Sequence, residues 1–200
     1  MDSMYTSLGM LIGGAVATIT PYIISWINKK LNKNKEGYSF IQNTDIRAKI
    51  NEVLIEIRAY VGSNRVNIIE YHNGNISTNG LPFNYSSMTY ESVDYTTKSQ
   101  ILDLQKIPIS PICKLLIDIH NCKQSYFKIG PDFPDQEIIR LNKFYGIITN
   151  YTFKIGNHIK DGVVNISWVF EDMTLSEEEI EFIIIKIKYI QDLMSKMIKY

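Results

Sequence analysis

From residue 44 onward the apolar positions change period several times, and each change marks an element. Ile46, Ile50, Val53, Leu54, Ile57 and Val61 recur at the spacing of one helical face, Thr44 stands where an N-cap is wanted, and Gly62 follows as a C-terminal stop. The pattern predicts a helix over 44–61. RVNIIEY (65–71) is β-branched and bounded by turn formers, and FNYSSMTYESV (83–93) alternates aromatic and small polar residues. Both read as strands. Between them lies HNGNISTNGLP, in which Asn73-Gly74 and Asn79-Gly80 are hairpin-turn dipeptides, because Asn and Gly accept positive φ cheaply. The expectation is a hairpin with a long loop.

Further along, Ser110-Pro111 opens a helix through Ile119, QSYFKI (124–129) is a short strand, and 134–145 is helical with Gly146 at its end. Two longer strands follow, IITNYTFKI (147–155) and GVVNISWVFE (162–171), joined by the polar turn GNHIKD. Ser176 and Glu179 form a capping box that starts a last helix running almost to Tyr200. Its apolar stripe, Ile180, Ile183, Ile184, Ile187, Ile190, Leu193, Met194 and Met197, is broader than one core-facing face needs. Residues such as Ile187 and Met194 are therefore expected to pair with a second copy in a homodimer, together with the first helix.

The N-terminal pattern is of another kind. Tyr5–Ile27 carries no charge, and at about 1.5 Å per residue such a helix spans a hydrocarbon core. Its glycines and Pro21 are tolerated in spanning helices, Gly9 and Gly13 offer a small-residue face, and Trp26 stands at an interfacial position. Lys29, Lys30, Lys33 and Lys35 come directly after, whereas only Asp2 precedes. The positive-inside rule then places the C-terminal side in the cytoplasm, and the order of charge and apolar run is the reverse of a cleaved signal peptide. The organisation expected is a single-pass anchor at 1–28, a basic linker at 29–43 whose lysines lie near anionic lipid headgroups, and a folded domain at 44–200.

Composition narrows the function classes. Of 200 residues, 45% are hydrophobic, enough for a real core, and 21 Lys+Arg balance 21 Asp+Glu. That balance lacks the basic excess that nucleic-acid binding rewards. Cys113 and Cys122 form no CxxC pair, and His72, His120 and His158 are far apart, so neither a zinc site nor a cofactor is expected. Asp132, Asp135 and Glu137 cluster at a helix start, where carboxylates serve capping and the helix dipole.

The element order is helix, strand, strand, helix, strand, helix, strand, strand, helix. With IPISPICKLLID, QSYFKIGPDFPDQEIIRLNKFYGI and the closing TNYTFKI...DGVVNISWVFEDMTLSEEEIEFI, it resembles the GAF family over roughly residues 44–198. The resemblance implies an α+β fold, an antiparallel sheet of about five strands with flanking helices, whose terminal pair commonly mediates dimerisation. It implies a binding or sensory role for a cyclic nucleotide, a chromophore or a small metabolite, although some members have no established ligand. The signatures of particular members are missing. Asn142-Lys143-Phe144 is contiguous where cyclic-nucleotide binders use separated positions, and two cysteines stand where methionine-sulfoxide reductases of this fold use three.

The remaining candidate constellation is His72-Asn73 at the end of the first strand, with Tyr85, Tyr90 and Glu91 on its neighbour. It would set an imidazole and an amide at a pocket mouth; the alternative is a plain Asn-Gly turn beside a solvated histidine. No nucleophile and base pair, phosphate loop or paired carboxylates can be read from the spacing. The expectation is a membrane-anchored, non-enzymatic binding or sensory module at the cytoplasmic face, of bacterial or bacteriophage type, acting through small-ligand or protein contacts. A phage lysis or holin-type factor and a structural membrane protein of a virion are the alternatives.

Overall fold

The computed structural model describes residues 25, 41–76, 82–121, 125–155 and 162–197. The chain divides into two compact units, Met1–Asp45 with Ile198–Tyr200, and Ile46–Met197. Of the first, residue 25 and residues 41–45 are described, and both are helical. The expected anchor and the four linker lysines otherwise lie outside the described residues, among which no helix is long and apolar enough to cross a membrane.

The second unit is an α+β fold built on one antiparallel sheet. Its elements are α1 (helical over 46–60), β1 Arg65–Ile76, β2 Pro82–Val93, β3 Ile107–Pro108, a 3-10 turn Ser110–Ile112, α2 Cys113–Asn121, β4 Tyr126–Ile129, α3 Gln136–Phe144, β5 Thr149–Lys154, β6 Val163–Trp168 and α4 Glu177–Ser195. Strand order is β3-β2-β1-β6-β5-β4, so β1 and β6, far apart in sequence, pair at the centre with Val66 opposite Ile166 and Ile68 opposite Val164. The sheet has six strands rather than the expected five. β3 is two residues long and pairs only Ile107 with Ser86 and Pro108 with Tyr85, too short to leave a period in the sequence.

Strand alternation divides the residues between two faces. Val66 and Ile68 of β1, Tyr90 of β2, Tyr151 and Phe153 of β5, and Val164, Ile166 and Trp168 of β6 join one hydrophobic core with Ile46, Ile50, Val53, Leu54 and Ile57 of α1 and Ile183, Ile187, Ile190 and Leu193 of α4. Gly62 ends α1 with φ +64°, the left-handed stop the sequence predicts. The capping box of α4 is formed: Ser176 Oγ accepts from Glu179 N at 3.2 Å and the Glu179 carboxylate accepts from Ser176 N at 2.7 Å.

Two expectations are corrected here. The Asn73-Gly74 dipeptide is not the hairpin turn: β1 runs on to Ile76 and Asn73 pairs with Asn84, so ladder hydrogen bonds outweigh the local turn preference. Asn79-Gly80 lies outside the described residues. Nor is Ile187 a free interface residue. It is 5% exposed and belongs, with Met194 packed against it, to the unit's own core.

Candidate functional site

The other face of the sheet carries a different set of side chains. The residues alternating with the core positions are Asn67, Ile69 and Tyr71 on β1, Asn150 and Thr152 on β5, and Val163, Asn165 and Ser167 on β6, and together they floor a cavity of about 190 Å³. Leu115, Leu116 and Ile119 of α2 and Ile138, Leu141 and Asn142 of α3 wall it, with Gln100, Leu104 and Ile107 closing the β2–β3 side. The cavity is thus mainly apolar with polar groups concentrated on the sheet, the usual composition of a small-molecule site.

Among the described residues no Asp, Glu, Lys, Arg or His lines it. Tyr71 on the floor has its phenol pushed well above the ordinary value by burial and stays neutral. Among the described residues the site's polar chemistry is that of amides, hydroxyls and the phenols of Tyr71 and Tyr145.

The helices that close it are set by local sequence. Asp135 caps α3 by accepting from Glu137 N at 3.0 Å and Ile138 N at 3.4 Å, and Glu137 pairs with Arg140 at 2.9 Å. The acidic cluster thus serves the helix start that brings Ile138, Leu141 and Asn142 to the cavity. Asp132 is exposed, and among the described residues no group of three or more His, Cys, Asp or Glu could hold a metal ion. Cys113 is a free, exposed thiol whose Sγ lies 3.4 Å from Ile109 O; it does not line the cavity, and Cys122 lies outside the described residues.

The segment between β2 and β3 is held by a buried ion pair. Arg65 Nε lies 3.0 Å from Glu91 Oε1, with both side chains 2% exposed. Arg65 Nη2 donates to Lys98 O at 2.9 Å, and the Glu91 carboxylate accepts from the backbone N–H of Gln100 and Ile101 at 3.0 and 3.1 Å. Burial pushes Arg65 below its ordinary value, opposed by the charges of Glu91 and Asp94. The clamp places Gln100, whose Nε2 donates to Tyr145 O at 3.4 Å across the cavity wall.

The sequence-predicted constellation is divided by this geometry. His72 is exposed, pairs across the ladder with Tyr85, and its Nε2 shares a 2.8 Å hydrogen bond with Ser87 Oγ. The His72 and Tyr85 rings stack at 6.0 Å. Tyr90 lies in the helix-facing core with its hydroxyl 3.8 Å from Met197 Sδ, and Glu91 is the clamp carboxylate. Asn73 continues the ladder beside His72. Neither His72, Tyr85, Tyr90 nor Glu91 lines the cavity.

The residues that do, Asn67, Asn150, Thr152, Asn165 and Ser167, were hidden in strands read only as strands. Their signal is an amide or hydroxyl at every second position of strands otherwise apolar enough to be buried on both faces.

No family model matches the sequence, and no curated protein matches it. Solved structures do. The cyanobacteriochrome receptor PixJ is similar over 78% of this chain and 98% of its own, with TM-score 0.57 and 10% identity. A phycocyanobilin-bound GAF domain from a cyanobacterial phytochrome has TM-score 0.55 and 17% identity over 76% of this chain and 85% of its own. A GAF domain/HD domain protein from Geobacter sulfurreducens has TM-score 0.54 and 12% identity over 76% and 93%. The fold of residues 46–197 is GAF-like, as the element order implied. At these identities the likeness concerns the fold alone.

Proposed function

We propose that this chain is a non-enzymatic, small-ligand-binding sensory module whose ligand occupies the cavity between the sheet and helices α2 and α3, held at the cytoplasmic face of a membrane by its N-terminal segment. The cavity carries the reading: a built apolar chamber floored by amides and hydroxyls, with no carboxylate, amine, guanidinium or imidazole among its described lining residues. The anchor is supported by the charge-free run Tyr5–Ile27 and the lysines Lys29, Lys30, Lys33 and Lys35 that follow it. A ligand that binds only the folded state raises its stability, by about 2.7 kcal/mol at a hundred times Kd. Melting of the full chain across a panel of neutral and charged metabolites should therefore yield at least one stabilising compound. That gain should vanish in Leu115→Trp, which fills the chamber from α2. A panel without a single shift, or a shift that survives the tryptophan, counts against it.

The module would signal through a second copy of itself. Ile55 and Tyr60 of α1 and Ile185 and Tyr189 of α4 are 46–58% exposed, and Tyr60 stacks on Phe182 at 4.0 Å. The ring contact joins the outer faces of the two helices, and confinement to one membrane would raise their effective concentration. Ile185→Glu with Tyr189→Glu should give a monomer by sedimentation with an unchanged melting temperature. A wild-type chain that sediments as a monomer at micromolar concentration would sink the dimer.

A further inference from the structure

The floor of the cavity is wired in one direction. Ser167 Oγ donates to Asn150 Oδ1 at 3.1 Å, Asn150 Nδ2 to Thr152 Oγ1 at 3.2 Å, Thr152 Oγ1 to Asn165 Oδ1 at 2.8 Å, and Asn165 Nδ2 to Asn67 Oδ1 at 3.2 Å. The run crosses β5, β6 and β1, and each bond polarises the next in the same sense. It ends on the amide nitrogen of Asn67, a residue 4% exposed that donates to no group among the described residues. A second surplus donor stands on the helix side: Asn142 belongs to the cavity wall, and its Nδ2 is buried without a hydrogen-bond partner among the described residues.

Both surplus groups are N–H donors, so the cavity is short of an acceptor. An anion would supply one, but among the described residues no charged side chain lines the cavity, and an unpaired charge is far costlier to desolvate than a carbonyl. Size limits the rest. The chamber holds about 190 Å³, and a dry cavity of about 150 Å³ already admits benzene.

We infer that the ligand is a neutral, largely apolar molecule of one ring or a compact bicycle, bearing a carbonyl-type acceptor that takes hydrogen bonds from Asn67 on the sheet and Asn142 on α3. This rests on the reading of the cavity as a ligand site.

Four near-isosteric probes test the class on the full chain by calorimetry: acetophenone, α-methylstyrene, benzoate and benzamidinium. Acetophenone should bind most tightly, ahead of either ion by about tenfold or more because the cavity offers no counter-charge. Its lead over α-methylstyrene should be several-fold in the wild type and should shrink in Asn142→Leu, which leaves only the Asn67 donor, while α-methylstyrene binding persists. That variant removes an unsatisfied polar group and should fold at least as well as the wild type. Benzoate or benzamidinium binding as tightly as acetophenone overturns the ligand class, and so does a preference for acetophenone that is undiminished in Asn142→Leu. If none of the four binds, α-methylstyrene included, the cavity itself is not a ligand site and both readings fall.

Discussion

Glu91→Leu should cost the full chain about 3–5 kcal/mol of stability, the usual penalty for leaving one partner of a buried ion pair unpaired. The side chains of Arg65 and Glu91 are each 2% exposed, so the guanidinium cannot recover its lost partner from water. The same substitution strips the acceptor from the N–H groups of Gln100 and Ile101, and these begin the segment that carries Leu104 and Ile107 into the cavity wall. Loss of stability and loss of ligand affinity should therefore appear together. Chemical denaturation measures the first. The double variant Arg65→Met/Glu91→Leu should regain much of it, because replacing both charges leaves nothing ionised in the interior. A loss below about 1 kcal/mol in Glu91→Leu, the range of an exposed ion pair, would show that the clamp is solvated and not structural.

The second large effect is expected at Gly162, where β6 begins beside β1. Its φ is +111°, and a Cβ added there would stand 2.5 Å from Ile69 O. That oxygen belongs to the strand backbone, so Gly162→Ala must either part the central β1–β6 pair or distort its own peptide. The unfavourable conformation alone costs roughly 1–3 kcal/mol, and the clash adds to it. Gly62 supplies the comparison: its φ is +64° and an added Cβ meets nothing within 4 Å, so Gly62→Ala should lose only the left-handed cost of about 1–2 kcal/mol. Equal denaturation midpoints for the two alanine variants would refute the steric argument.

The sequence makes the helix-facing half of the molecule legible because there one signal dominates. The stripe from Ile46 to Val61, the capping box at Ser176 and Glu179, and the alternation of Tyr151 with Phe153 and of Val164, Ile166 and Trp168 all name residues of a single core. The same stripe on α4 suggests more exposed apolar surface than exists, since Ile183, Ile187, Ile190 and Leu193 are all taken up by the sheet and α1. Only packing distinguishes Ile187 from Ile185, two residues away and 58% exposed.

The cavity is less legible for two reasons. Asn73-Gly74 has the local chemistry of a turn, which draws attention to His72 and its neighbours, yet pairing with Asn84 keeps it in β1. The groups that define the floor are contributed singly by three strands: Asn67, Asn150 and Asn165 are each an unremarkable polar residue in sequence and meet only through the β1–β6–β5 pairing. The positional signal exists, an uncharged polar residue on the face opposite the core, but it becomes a site only once strand order is known.

Side-chain amide NMR of the full chain titrated with acetophenone places the ligand most directly. Binding in the cavity should shift the Nδ2H2 resonances of Asn67, Asn142 and Asn165 while leaving the methyl signals of Ile187 and Leu193, on the opposite face of the sheet, where they were. Shifts confined to the α1 and α4 face, or no shift of the three asparagine amides at saturation, would contradict a ligand site between the sheet and helices α2 and α3.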